Sequence, residues 1–190
     1  MTTTNHAHGD HGFSLIEATI AAGVMASALV ALGQMLAISV SNNRTARTLT
    51  YATVLAEQKI EQLRGLTWGF DNTGAFVTDT TTNTAAPVDG PNGGTGLSRS
   101  PADTIAQSTD GWVDYVDQFG AVLGGGALPP PKTVYIRRWA IEPLPTDPAN
   151  AIVIHVLVTA HMNRGLAGAA STRRLPAEAR LVSVKTRKSP

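Results

Sequence analysis

The chain has 190 residues and a formal net charge of +1, which leaves room for one apolar helix and one domain of ordinary size. No global charge bias points to nucleic acid or to an anionic surface, and the first forty-three positions hold only Asp10 and Glu17 among the Asp, Glu, Lys and Arg side chains. Cysteine is absent, which excludes disulfides and thiolate metal sites.

Residues 1–12 (MTTTNHAHGDHG) are polar, rich in Thr, Gly and His, and show no helical or strand periodicity. They read as a leader to be removed rather than as part of a fold. From Ala18 to Val40 follow 23 positions without a charged side chain, where only Thr19, Ser27, Gln34 and Ser39 are polar. A helix of that length covers about 34 Å, enough to cross a hydrocarbon core of about 30 Å, so a transmembrane segment is expected over 13–40. A secretory signal cut at Ala26-Ser27-Ala28 fits poorly, because no Lys or Arg precedes the run and the run continues past that point. A plain single-pass anchor leaves Glu17, at the mouth of the run, unexplained. The third reading is a cut before the apolar run, with the run retained.

Gly12-Phe13-Ser14-Leu15-Ile16-Glu17, followed by an uncharged helix, resembles the cleavage and methylation motif of type IV pilins and type II secretion pseudopilins. The resemblance implies that a prepilin peptidase and methyltransferase cuts after Gly12 and methylates the new amino-terminal Phe13. Glu17 becomes the fifth residue of the mature chain and an assembly contact with a neighbouring subunit. The implied partners are further pilin or pseudopilin subunits through the amino-terminal helix, an inner-membrane assembly platform and the lipid bilayer. The implied location is the bacterial inner membrane, single-pass with the carboxy-terminal domain periplasmic, and then a pilus or pseudopilus filament. No cofactor and no enzymatic activity are implied.

The physical chemistry of the motif agrees. A carboxylate in lipid costs about 2.5–3.5 kcal/mol on insertion scales, so a retained one needs a partner, or must snorkel to the interface. A freshly cut amino terminus 4 Å away contributes up to about 4 kcal/mol at an effective dielectric near 20. Two features depart from the family pattern. The leader carries only His6, His8 and His11 as sources of positive charge, while Arg44 and Arg47 lie on the other flank, where the positive-inside rule favours the opposite orientation. Many major pilins also have a proline part-way along the run, and none occurs here; Gly23 and Gly33 are the soft points. Ala18, Ala22 and Ala26 fall on one ridge, either a close-packing face or simply part of an Ala-rich composition.

Leu49, Ala52, Ala56, Ile60 and Leu63 keep three-four spacing, whereas Arg44, Arg47, Glu57, Lys59, Glu61 and Arg64 lie mostly on other faces. The helix is therefore expected over 13–64, with Gly65 as its end cap, about 78 Å in all. Residues 56–64 (AEQKIEQLR) are similar to a segment of minor pilins and minor pseudopilins. Residues 65–111 read as a long loop with one short strand around Ala75–Asp79. It is either a recognition surface or an insertion without a role. The alternative to a filament subunit is accordingly a membrane-tethered periplasmic binding module that does not polymerise; a hydrolase on an uncleaved anchor stands third.

Strand signals fill 112–190. Trp112–Phe119 and Ala121–Leu123 read as a hairpin, and Lys132–Ile141, Ala151–His161 and Glu178–Arg187 as further antiparallel strands. Residues 142–150, with three prolines, and 163–176 are their connections. Three or four strands would cover the amphipathic half of the helix, so the expected class is α+β, a long helix on a small antiparallel sheet. The pilin fold has this architecture.

No catalytic set emerges, and Gly124-Gly125-Gly126, followed by Ala-Leu-Pro-Pro-Pro, cannot open a phosphate-binding helix. His155 and His161 share a strand face but stand about 20 Å apart, too far for one metal. Asp110, Asp114 and Asp117 lack the spacing of a calcium loop. Arg137-Arg138, Arg173-Arg174, Lys185, Arg187 and Lys188 leave the last third basic. They read as a solvated, edge-protecting face, with a DNA or partner contact as the competing reading.

Overall fold

A computed structural model describes residues 14–85, 94–161 and 178–187. In chain order its elements are α1 (Leu15–Gly65), β1 (Trp68–Phe70), β2 (Phe76–Thr78), β3 (Val113–Val116), β4 (Val122–Gly124), β5 (Tyr135–Pro143), β6 (Ala151–Ala160) and β7 (Glu178–Thr186). The chain divides into two compact units, Met1–Arg44 and Thr45–Pro190.

In the first unit α1 begins with the Ser14 carbonyl accepting the amides of Glu17 and Ala18 at 3.0 and 3.1 Å. The hydroxyls of Thr19 and Ser27 donate back to the carbonyls of Leu15 and Val24, so these polar groups are satisfied within the helix. Large apolar side chains from Leu15 to Val40 are exposed all round the helix, Leu36 at 67 % among them. Such a surface is stable only against lipid or other apolar helices. This helix is long and apolar enough to cross a membrane.

In the second unit the remainder of α1 packs on a five-stranded antiparallel sheet in the order β4-β3-β5-β6-β7. The expected α+β class holds, and each of the five strand segments expected over 112–190 contributes a strand to this sheet. Ala52, Leu55, Ala56, Lys59, Ile60 and Leu63 form the buried stripe of the helix. Ala52 and Ala56 are fully buried one turn apart, so no side-chain bulk separates the helix backbone from the sheet there. Beneath them lie Val116, Trp139, Ile141, Ile154, Val156 and Val158, each large side chain contributing about 1.5–3 kcal/mol by leaving water. Leu49, expected on this stripe, is 43 % exposed.

Helix and β5 run in the same direction. Thr48 hydrogen-bonds the Tyr135 phenol, the Leu55 carbonyl accepts from Arg137, and Lys59 lies over Trp139. Thr48 to Lys59 spans about 16 Å of helix, and Tyr135 to Trp139 about 13 Å of strand, so contact is kept along the whole path.

Residues 65–111 differ from the expected surface loop. The strand expected near 75–79 is β2, and it pairs with β1, which three residues are too short to announce by periodicity. Asp71 closes their turn by accepting the amides of Thr73 and Ala75, with Gly74 at φ 82°. Further on, Ala85, Leu97, Ser100 and Thr104 are buried. Ser100 clasps β5 from the side: its amide donates to the Ile141 carbonyl and its hydroxyl oxygen accepts from the Ile141 amide.

Candidate functional site

Gly12 and Phe13 lie outside the described residues, as do His6, His8 and His11. Glu17 stands in the first turn of α1, where a negative charge complements the helix dipole. Exposed Leu15, Ile16 and Ile20 surround it along the chain, so the acid opens an otherwise apolar surface.

The second constellation is buried where the helix meets the sheet. Lys59 Nζ is 2.7 Å from Asp114 Oδ2, 4.0 Å from the centroid of the Trp139 ring, and donates to the Thr84 carbonyl. Arg137 donates to the same Asp114 oxygen through Nε at 3.1 Å and Nη2 at 2.7 Å, while its Nη1 reaches the Leu55 carbonyl at 3.1 Å. Asp114 has no exposed surface and Lys59 only 1 %. Two cations thus share one acid. Burial pushes the Lys59 amine down to about 8; Asp114 opposes the shift and Arg137 adds to it. The cluster is out of reach of a substrate, and its geometry fastens helix to sheet.

None of these three residues was expected in a common site. Lys59, grouped by its charge with residues lying mostly on other faces of the helix, is one turn from Leu55, Ala56 and Leu63 on the buried stripe. Arg137 and Arg138, expected on a solvated, edge-protecting face or at a DNA or partner contact, are instead buried, at 6 % and 5 % exposure. Arg137 points inward with Tyr135 and Trp139, as strand alternation dictates. Arg138 points the other way and donates to the Ser108 hydroxyl, because the preceding segment covers that face too.

The basic residues of β7 are also engaged. Lys185 Nζ donates to the carbonyls of Arg64 and Leu66, satisfying acceptors left open at the helix end. Arg187 donates to the carbonyls of Ala149 and Gly69, and its guanidinium stacks 3.7 Å from the Trp68 ring centroid. Together they bind the helix terminus and the β1–β2 hairpin to the last strand. Arg173, Arg174 and Lys188 lie outside the described residues.

Asp110, Asp114 and Asp117 do not converge. Asp114 belongs to the buried cluster, and Asp117 closes a turn by accepting the amides of Phe119 and Ala121. His155 faces Glu142 at 3.9 Å. Among the described residues no group of three His, Cys, Asp or Glu side chains is placed to hold a metal ion. An open groove of about 880 Å³ runs between Arg64–Asn72 and Val184–Thr186, with Trp68 and Phe70 in its wall.

The architecture is pilin-like: one long amino-terminal helix, apolar in its first half, with its second half laid on an antiparallel sheet. Comparison with protein families, with curated proteins and with solved structures gives no significant match.

Proposed function

We propose that the chain is a structural filament subunit, a minor type IV pilin or minor type II secretion pseudopilin, and not an enzyme. A prepilin peptidase cuts between Gly12 and Phe13 and methylates Phe13. The bilayer holds the apolar run, the inner-membrane platform extracts it, and neighbouring subunits bury it in the filament. Glu17 registers each subunit against the amino terminus of the next. One observation carries this reading: Gly-Phe-Ser-Leu-Ile-Glu runs into the first turn of a helix whose large apolar residues through Val40 are exposed on every side. With no Lys or Arg in residues 1–12 and Arg44 and Arg47 on the other flank, charge alone favours the opposite orientation, so on this reading the processing machinery must set it.

The test is mass spectrometry of the full-length chain co-produced with a prepilin peptidase and its assembly machinery. A chain beginning at N-methyl-Phe13 is expected; an intact Met1, or a start at Leu29, refutes the reading. Glu17→Ala is expected to be cleaved normally but excluded from filaments. The groove beside Trp68 and Phe70 favours a second reading, a membrane-tethered binding module. On that reading no filaments form from the unsubstituted chain either.

A further inference from the structure

The two edges of the five-stranded sheet differ. β4 is three residues long, and its pairing with β3 slips by one position between Tyr115 and Val116. A short, irregular edge offers little to an incoming strand. β7 is nine residues long and keeps an unbroken register with β6, from Thr159 opposite Glu178 to Ala151 opposite Thr186. It contains no proline and no bulge, two devices that blunt an edge.

Strand alternation determines which backbone groups of β7 are unused. The Arg187 amide donates to the Asn150 carbonyl at 2.8 Å, so along this strand the odd-numbered residues bond toward β6. The amides and carbonyls of Arg180, Val182, Val184 and Thr186 point away from it, and among the described residues no strand pairs with them. Ala179 and Leu181 pack toward the core, so the side chains of those four residues share the opposite face. There Val182 and Val184 are 55 % and 53 % exposed. The open groove adjoins this edge, with Val184 and Thr186 on one side and Trp68 and Phe70 on the other. Thr67 and Asp71 bond toward β2, so by the same alternation the backbone groups of Trp68 and Phe70 face away from β2.

We propose that the free edge of β7 is a docking site for an extended, acidic strand of a partner protein, added antiparallel. The unpaired groups fix the class of occupant, because an extended chain alone presents amides and carbonyls at the spacing of alternate residues. Two β-branched residues of that strand lie opposite Val184 and Val182, and an acid two positions further on lies opposite Arg180. Over Glu178–Arg187 three cations, Arg180, Lys185 and Arg187, stand against one acid. A second copy brings the same excess of cations and is repelled, whereas an acidic strand is attracted. Asp71, the acid in the groove wall, does not oppose it, since the amides of Thr73 and Ala75 hold it in its own turn. The site lies wholly within the sheet domain, so it rests on neither reading of the chain as filament subunit or tethered module.

The test uses the detergent-solubilised full-length chain and a fluorescein-labelled peptide, Thr-Val-Thr-Val-Thr-Glu-Thr. Its valines and glutamate fall opposite Val184, Val182 and Arg180. Anisotropy is expected to saturate with a Kd of about 100 µM or lower, and the same peptide with lysine for glutamate should bind about threefold more weakly. Val184→Pro and Thr186→Pro each remove one outward amide and no bond to β6. Each should weaken the peptide about tenfold while the amides of Leu181 and Ser183 keep their protection from exchange. In the unsubstituted chain the peptide should slow exchange at Val182, Val184 and Thr186. Arg180→Glu should reverse the preference between the two peptides. No binding, or binding that both proline variants leave unchanged, overturns the docking site. Equal affinity for the two peptides overturns the acidic partner. Reversible self-association of the chain that both proline variants abolish gives the edge to a second copy and overturns the partner assignment.

Discussion

Replacing Asp114 with alanine leaves Lys59 and Arg137 side by side in the interior with their shared acid gone. Breaking a buried ion pair in this way costs about 3–5 kcal/mol, a large part of the roughly 5–15 kcal/mol that holds a domain together. At about 2–4 °C per kcal/mol for a unit of this size, the melting temperature should fall by roughly 6–20 °C. Lys59→Met is the informative counterpart. It keeps the two-nitrogen contact of Arg137 with Asp114, lays a thioether over Trp139, and removes the cation whose burial is costly. Its effect should stay within about 1 kcal/mol in either direction. Urea unfolding of the detergent-solubilised chain, followed by tryptophan fluorescence, reads both, since Trp139 sits in the cluster. If Asp114→Ala costs less than about 1 kcal/mol, or Lys59→Met costs as much as Asp114→Ala, the cluster is not organised around Asp114 as described.

Two further outcomes can be checked on the same material. The folded-state pKa of Lys59 lies near 8, below its ordinary 10.5, so between those values the unfolded chain binds more protons than the folded one. Stability should therefore rise as pH climbs from about 8 toward 10, by an amount that Lys59→Met abolishes. Tyr135 has the opposite sign, because burial raises its pKa, and it should turn the curve down above about 10. Lys185→Met strips the helix terminus of its donors at Arg64 and Leu66, at a cost of about 1–2 kcal/mol. Hydrogen exchange should then quicken over residues 64–78, while β5 and β6 keep their protection.

The helix and the three long strands were legible because their apolar residues repeat at the period of the element that contains them. Strands β5, β6 and β7 are found within three residues of where β-branched and aromatic runs placed them. The interior charges were not legible for the same reason. A rule that sorts side chains by polarity sends Lys59 and Arg137 outward, and position alone, one turn from Leu63 or midway between Tyr135 and Trp139, would have turned them in. Their partner is 55 residues from Lys59 and 23 from Arg137, a pairing no local pattern encodes. The clasp of Ser100 on Ile141 is equally silent in sequence, since it joins one hydroxyl and one amide to backbone groups 41 residues away that every residue carries. The Gly12–Glu17 motif shows the opposite imbalance: its chemistry is readable from the residues, while Gly12 and Phe13 lie outside the described structure.

The attachment of Lys185 to the end of α1 joins groups 121 and 119 residues apart in the chain. The far end of α1 is therefore closed only when β7 is in place. A polypeptide that stops before Glu178 lacks an edge of the sheet as well as the donors for the helix terminus. Such a truncated product leaves the edge of β6 from Ala151 to Thr159 without its partner strand.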